Sequence, residues 1–266
     1  MRQFLTTALI SLLLPVMAGA QHSGNNANGN MQGAYTMLSQ KFNSNGKDTT
    51  MDIQQLKIYT DHHFMYAHSL PGDSLGDYGI GRYTMNNGKV TEYSMFTSAN
   101  GEHMDTFDVS VTKNPEGYMQ VINFPQDNQG NKLILTETYR NASKNMKSPL
   151  DGAWKMTRVT VYPKDGQPTV IDHPTQYKVY QSGHYMFGAT QLDSATKKPM
   201  SSYGYGTFTM DGPDRITETA TNSTFKSSLV GNPVQLKIAM KGKDQYTQTI
   251  VWPDGTKTVE EYERLK

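Results

Sequence analysis

The chain has 266 residues, a formal net charge of +1 with 18% charged residues, and no cysteine. A near-neutral chain lacks the basic face that displaces counterions from phosphates, which argues against a nucleic-acid partner. The lack of cysteine removes disulfides, thiolate metal sites, cysteine nucleophiles and a lipid-modified N-terminal cysteine in one step.

Residues 1–20 place Arg2 ahead of an apolar run from Phe4 to Val16 and finish in Ala18-Gly19-Ala20. The run is shorter than the roughly 20 apolar residues of a membrane span and ends in a small-x-small pattern, so it reads as a signal peptide cleaved after Ala20. The mature protein is then expected to be secreted or periplasmic, with no membrane span and no lipid anchor. Residues 21–31 are small and polar and read as a disordered leader.

Beyond the leader, apolar residues recur at a spacing of two, as in Phe107-x-Val109-x-Val111, within runs rich in Thr, Tyr, Val, Ile and Phe. Turn signals such as Asn45-Gly46, Asn86-Asn87-Gly88, Asp165-Gly166 and Pro253-Asp254-Gly255 separate these runs. The pattern predicts strands near 34–42, 51–60, 62–69, 78–86, 89–98, 104–113, 117–123 and 131–140. After a polar linker over 142–150, it predicts eight more near 153–162, 175–181, 184–191, 203–210, 214–221, 233–241, 244–251 and 256–265.

The two sets are copies of each other. Tyr78-Gly79-Ile80-Gly81-Arg82-Tyr83-Thr84-Met85 returns as Tyr203-Gly204-Tyr205-Gly206-Thr207-Phe208-Thr209-Met210, and His63-Phe64-Met65 returns as His184-Tyr185-Met186. An offset of about 119–126 residues is the size of a domain, so two similar domains are expected, over 32–141 and 151–266. Eight antiparallel strands in meander order hide their edges by closing, which makes the expected fold all-β: two tandem eight-stranded antiparallel barrels.

Each copy opens with a glycine two residues before an aromatic, Gly33-Ala34-Tyr35 and Gly152-Ala153-Trp154, and each has an arginine in its last strand, Arg140 and Arg264. This resembles the calycin and lipocalin arrangement. It is similar in particular to the tandem lipocalin-like domains of secreted proteins of Gram-negative bacteria, with their Gly-x-Trp opening, Gly-x-Tyr-Thr strand and Glu-x-Tyr-x-Arg ending. The resemblance implies that Tyr35 with Arg140, and Trp154 with Arg264, close the two barrels through a cation over an aromatic ring. Copy two fits the pattern better, because copy one has Tyr35 where tryptophan is expected.

Alternation along the third strand of each copy separates His63 and Met65, and likewise His184 and Met186, from the residues of the opposite face. An imidazole with a thioether is a soft pair suited to Cu(I), but an ordinary strand face with methionine as filler accounts for it, and no metal or cofactor is inferred. The other face, with Phe64, Tyr66 and His68 in copy one and Tyr185 and Phe187 in copy two, is expected to point into the lumen. Tyr83 and Phe208 on the next strand join it. Together they form an aromatic lining suited to a small hydrophobic or amphipathic molecule or, equally, to a solid core.

The glycine pairs Gly79/Gly81 and Gly204/Gly206 read as bends that help a sheet close, with room for a ligand as the alternative. The carboxylates Glu92, Glu218, Glu137 and Glu261, flanked by threonines, read as solvated outer faces of strands. No Ser-His-Asp spacing, phosphate loop or dinucleotide fingerprint occurs, and no catalytic residue is assigned. The leading expectation is a binding protein. The alternatives are a hydrolase or isomerase acting on a lipid or sugar through lumen residues such as Tyr83, His68 and Glu92, and a non-catalytic envelope scaffold.

Overall fold

Side chains that alternate between two faces at every second residue need two different environments, and a closed sheet supplies both: a lumen and an outer wall. The computed structural model describes residues 31–69 and 76–266. The expected signal peptide and the leader up to residue 30 lie outside the described residues.

The first copy comprises β1 (Gly33–Ser44), β2 (Lys47–Met51), β3 (Gln54–Tyr59), β4 (His63–Ser69), β5 (Gly76–Asn86), β6 (Lys89–Thr97), β7 (Gly101–Asn114), β8 (Gly117–Asn123) and β9 (Leu133–Asn141). The second comprises β10 (Gly152–Tyr162), β11 (Thr169–Asp172), β12 (Thr175–Gln181), β13 (His184–Leu192), β14 (Pro199–Met210), β15 (Arg215–Ser223), β16 (Pro233–Lys241), β17 (Gln245–Val251) and β18 (Lys257–Arg264). Each copy is one antiparallel meander whose first and last strands pair, β1 with β9 and β10 with β18, so both sheets close. The tandem eight-stranded barrels expected from the sequence are the fold.

The short strands β2 and β11 add no ninth place to the rings. β2 and β3 share one edge of β1 on either side of a break at Asp52-Ile53, and β11 and β12 share one edge of β10 on either side of His173-Pro174. Proline has no N–H to donate and fits such a break. Both closing ladders carry a register shift at the same place, Met37/Ser39 and Met156/Arg158, where one extra residue bends the strand around the barrel.

One end of each barrel is plugged by the residue two places ahead of its first strand, so the disordered leader expected over 21–31 does not extend to Met31. Met31 is fully buried in the cluster of Tyr35, Tyr59, Tyr83 and Tyr118, and Leu150 holds the matching place beside Trp154, Tyr180, Phe208 and Tyr246. The connector between the copies is also tied down. Leu150 O accepts a hydrogen bond from Trp154 Nε1 at 2.8 Å, and Lys144 N donates to Ser182 O at 2.8 Å.

The barrels meet through their outer walls. Ile58, Met65, Ala67, Tyr78 and Ile80 from the first pack with Val179, Met186, Tyr203 and Tyr205 from the second in one buried apolar cluster. Equivalent strands face each other across this seam, β5 with β14, β4 with β13 and β3 with β12, as in an isologous dimer interface fused into one chain. Tyr78 lies so close to Gly188 that a Cβ there would meet the ring at 2.3 Å, and Tyr203 covers Gly76 at 2.0 Å in the same sense. Met65 and Met186, the thioethers of the two His-x-Met pairs, are therefore seam residues.

Candidate functional site

Two side chains inside a closed barrel that point toward each other from non-adjacent strands need either apolar packing or mutual hydrogen bonds. Each lumen has both, arranged in layers. Next to the plugged end lies an aromatic floor. In the first barrel Tyr59 packs edge-on to Tyr83 with centroids 5.0 Å apart, and in the second Tyr180 packs edge-on to Phe208 at 5.0 Å.

Above each floor lies a polar layer built from the same residue types. In the first barrel Lys57 Nζ stands 2.6 Å from Glu92 Oε1, and Tyr59 OH donates to that same oxygen at 2.5 Å. Gln120 Nε2 and Tyr139 OH both donate to Glu137 Oε2, at 2.5 Å and 3.0 Å. In the second barrel Lys178 Nζ stands 2.8 Å from Glu218 Oε1, and Tyr180 OH donates to that oxygen at 2.5 Å. Lys178 also donates to Gln248 Oε1 at 3.0 Å. Gln248 Nε2 and Tyr262 OH both donate to Glu260 Oε2, at 2.9 Å and 2.8 Å.

Sequence reasoning missed this layer. The expectation that Glu92, Glu137 and Glu218 lie on solvated outer faces is corrected: all three are buried, at 5%, 5% and 7% exposure. The fourth member is Glu260 rather than Glu261, which is exposed. Burial pushes the Glu137 and Glu260 carboxyls above their ordinary range, with Lys57 and Lys178 pulling them back. Burial and the adjacent Glu218 carboxylate also hold the Tyr180 hydroxyl firmly protonated. The available signal was the Glu-x-Tyr pair, Glu137-x-Tyr139 and Glu260-x-Tyr262, whose spacing of two places both side chains on the tyrosine's lumen face.

The layers above differ between the barrels. The second barrel has a cavity of about 670 Å³ bordered by Lys178, Glu218, Gln248 and Glu260 below and by Val159, Ala189, Val234 and Thr258 on its wall. Ile171 and Phe225 stand at its mouth, each about half exposed. The matching positions in the first barrel, read through the strand registers, carry Gln40, His68, Phe107 and Leu135. All four are bulkier than their counterparts.

The seven lumen candidates separate accordingly. Tyr185 and Phe187 border the cavity. Phe64, Tyr83 and Phe208 are buried in the packed interior, and Tyr83 OH donates to Thr60 O at 2.8 Å. Tyr66 and His68 stack on each other in the first barrel with centroids 6.1 Å apart, and His68 Nε2 lies 4.0 Å from Asp77. Tyr83, His68 and Glu92, named together as catalytic alternatives, each have a different partner: Tyr83 donates to Thr60 O, His68 stacks on Tyr66, and Glu92 accepts from Lys57 and Tyr59.

The glycine pairs bend the sheet and also seat rings. The β5–β6 and β14–β15 registers shift at Ile80/Gly81 and Tyr205/Gly206. A Cβ on Gly79 would meet the Tyr66 ring at 2.7 Å, and one on Gly204 would meet Phe187 at 2.5 Å.

At the plugged ends the two copies part. The Arg264 guanidinium carbon lies 4.0 Å from the Trp154 ring centroid, and its nitrogens donate to the backbone carbonyls of Lys243, Asp151 and Pro149. Gly152 admits this arginine, since a Cβ there would stand 2.0 Å from Nη1. In the first barrel the register sets Asn141 opposite Tyr35, so Arg140 falls on the other face and is exposed. Ser143 replaces the arginine: its Oγ accepts from Ala34 N at 2.9 Å and would stand 2.6 Å from a Cβ on Gly33.

Residues 149–266 match the model of a family described as a domain of unknown function, DUF4488. No curated protein matches the chain. Among solved structures, a redesigned β-barrel is similar at 21% identity and a TM-score of 0.30, over 47% of this chain and 100% of that one. A protein of unknown function from the DUF3598 family of Nostoc punctiforme PCC 73102 is similar at 14% identity and a TM-score of 0.26, over 88% of this chain and 96% of that one.

Proposed function

We propose that the protein binds a small, partly apolar molecule without covalent chemistry, in the lumen of its second barrel, as a secreted or periplasmic lipocalin-like protein whose signal peptide ends at Ala20. The observation that carries this reading is the 670 Å³ cavity, with apolar walls over a polar layer that reaches it through Lys178, Glu218, Gln248 and Glu260. A concave apolar site with a few convergent polar groups is the usual form of a small-molecule pocket, and its volume falls in the usual range for one. The half-exposed Ile171 and Phe225 at the mouth suit the entry of an apolar molecule. The first barrel packs against the second through the seam, and its matching wall positions carry the bulkier Gln40, His68, Phe107 and Leu135.

Native mass spectrometry of protein purified gently from its own host, followed by denaturing release, tests the reading. The expected result is a bound small molecule that disappears in the cavity-filling double variant Ala189→His, Val234→Phe. A bare mass for the folded wild-type protein, together with no binding of apolar probes, overturns it.

A further inference from the structure

The two polar layers match residue for residue except at one cross-strand partner. In the first barrel Gln40 pairs with Glu137 across β1 and β9, and its Nε2 donates to Glu137 Oε1 at 2.7 Å. In the second barrel Val159 pairs with Glu260 across β10 and β18, at the same distance from the shared register shift. The other oxygen, Oε2, takes an amide and a tyrosine donor in both barrels. Among the described residues nothing donates to Glu260 Oε1, and both Val159 and Glu260 border the cavity.

We propose that the ligand of the second barrel presents a hydrogen-bond donor, a carboxamide N–H or a hydroxyl on an apolar chain, to Glu260 Oε1, filling the place that the Gln40 carboxamide fills in the first barrel. The proposal rests on the binding reading above and specifies the ligand's head group. The first barrel thus carries a covalently attached version of the head group that the second takes from outside.

The groups around Glu260 Oε1 disfavour the other head-group chemistries at that place. Lys178 is committed to Glu218 and Gln248 and lies over the rings of Tyr180 and Tyr185, with Nζ 5.1 Å and 5.4 Å from their centroids. Beside Glu260 an anionic head therefore finds no free cation and faces the Glu218 and Glu260 carboxyls; the other lysine of the lining, Lys226, stands away from this layer over Trp252, with Nζ 5.1 Å from the ring centroid. An ester or ketone head, which only accepts, offers Glu260 Oε1 no donor and leaves that hydrogen bond unmade. A donor-headed amphiphile satisfies the carboxyl and lays its chain along Val159, Ala189 and Val234.

Matched ten-carbon probes test this: decanamide, methyl decanoate and decanoate, titrated calorimetrically into the purified protein, with Trp252 fluorescence as a second signal because its ring borders the cavity. Decanamide is expected to bind at least tenfold more tightly than methyl decanoate, with decanoate weakest. Val159→Gln, which supplies the missing donor internally, is expected to weaken decanamide at least tenfold and erase the amide preference. Val159→Leu adds bulk without a donor and is expected to weaken the amide and the ester alike. Equal affinity for all three probes overturns the donor proposal and leaves the binding reading standing. Failure of every probe to bind overturns the donor proposal, and a bare mass for the folded protein as well overturns the binding reading.

Discussion

The two barrels share one polar layer and differ in what lies above it. Lys57, Tyr59, Glu92, Gln120, Glu137 and Tyr139 reappear as Lys178, Tyr180, Glu218, Gln248, Glu260 and Tyr262, with matching contacts. In one barrel the wall positions beyond it carry Gln40, His68, Phe107 and Leu135; in the other, smaller residues border a cavity. A buried ionic layer is costly to keep unless it is fully paired, so its presence in the barrel with a bulkier lumen shows that it has a structural role apart from any ligand. The comparison therefore points to folding as the layer's role in both barrels and sets the cavity wall of one apart as the proposed binding surface.

The sharpest way to break this comparison is to remove the shared cation. Lys57→Met and Lys178→Met each leave a buried glutamate unpaired, at 4% and 3% side-chain exposure of the lysine lost, and each is expected to cost about 3–5 kcal/mol in urea unfolding. Similar losses in the two barrels support a structural layer. A loss confined to Lys57→Met would reassign Lys178 to the ligand.

Acid separates the barrels next. His63 is buried with no partner at Nε2, and burial beside Arg82 lowers its pKa from 6.5 to about 4. The unfolded chain then takes up the proton first, so His63 contributes stability that is intact above pH 6.5 and is lost as pH falls toward 4, about 3 kcal/mol at the acid end. Its counterpart His184 is also lowered by burial, but a hydrogen bond to Ser182 O opposes the shift. Replacing His63 by Gln is expected to flatten the stability profile between pH 6.5 and 4 more than replacing His184 does, as measured by urea midpoints across that range. An unchanged slope in His63→Gln would place the acid sensitivity elsewhere.

The plugged ends come third. Arg264→Ala removes a cation over Trp154 and three hydrogen bonds to carbonyls, an expected loss of about 2 kcal/mol, whereas Arg140→Ala changes an exposed residue and should stay within about 0.5 kcal/mol. Equal effects in the two variants would contradict the register that places Asn141, and not Arg140, opposite Tyr35.

Particular residues show how far the sequence could be read. Period-two spacing and turn residues identify the sixteen ring strands because each is a local signal, and duplication supports each reading with a second. The polar layer was hidden because period two separates the two faces without saying which is the lumen. Glu92, Glu137 and Glu218 sit among threonines, and on a charge scale they belong outside. Only barrel closure, which brings Lys57 from β3 against Glu92 on β6 and near Gln120 on β8, makes their burial affordable. Arg140 illustrates the other limit. Two arginines near two strand ends look equivalent in sequence, but a one-residue offset puts them on opposite faces. The seam was unreadable for a related reason, since Met65 and Met186 bury an outer wall that in a lone barrel would face water.

Gln40→Val is the smallest change and the one that tests the comparison most directly, because it gives Glu137 the surroundings of Glu260. It removes the donor at 2.7 Å from Glu137 Oε1 and is expected to cost about 1–2 kcal/mol, smaller than the lysine variants because Gln120 and Tyr139 still hold Oε2. It should not confer binding of decanamide on the first barrel, since His68, Phe107 and Leu135 remain above the vacated place. Calorimetry on a protein carrying Gln40→Val together with the cavity-filling pair Ala189→His and Val234→Phe then reads the first barrel with the second filled. Silence there supports wall bulk as what separates the barrels. A new decanamide site would instead mean that the single Gln40/Val159 exchange, rather than the bulk of the wall, decides which lumen is open.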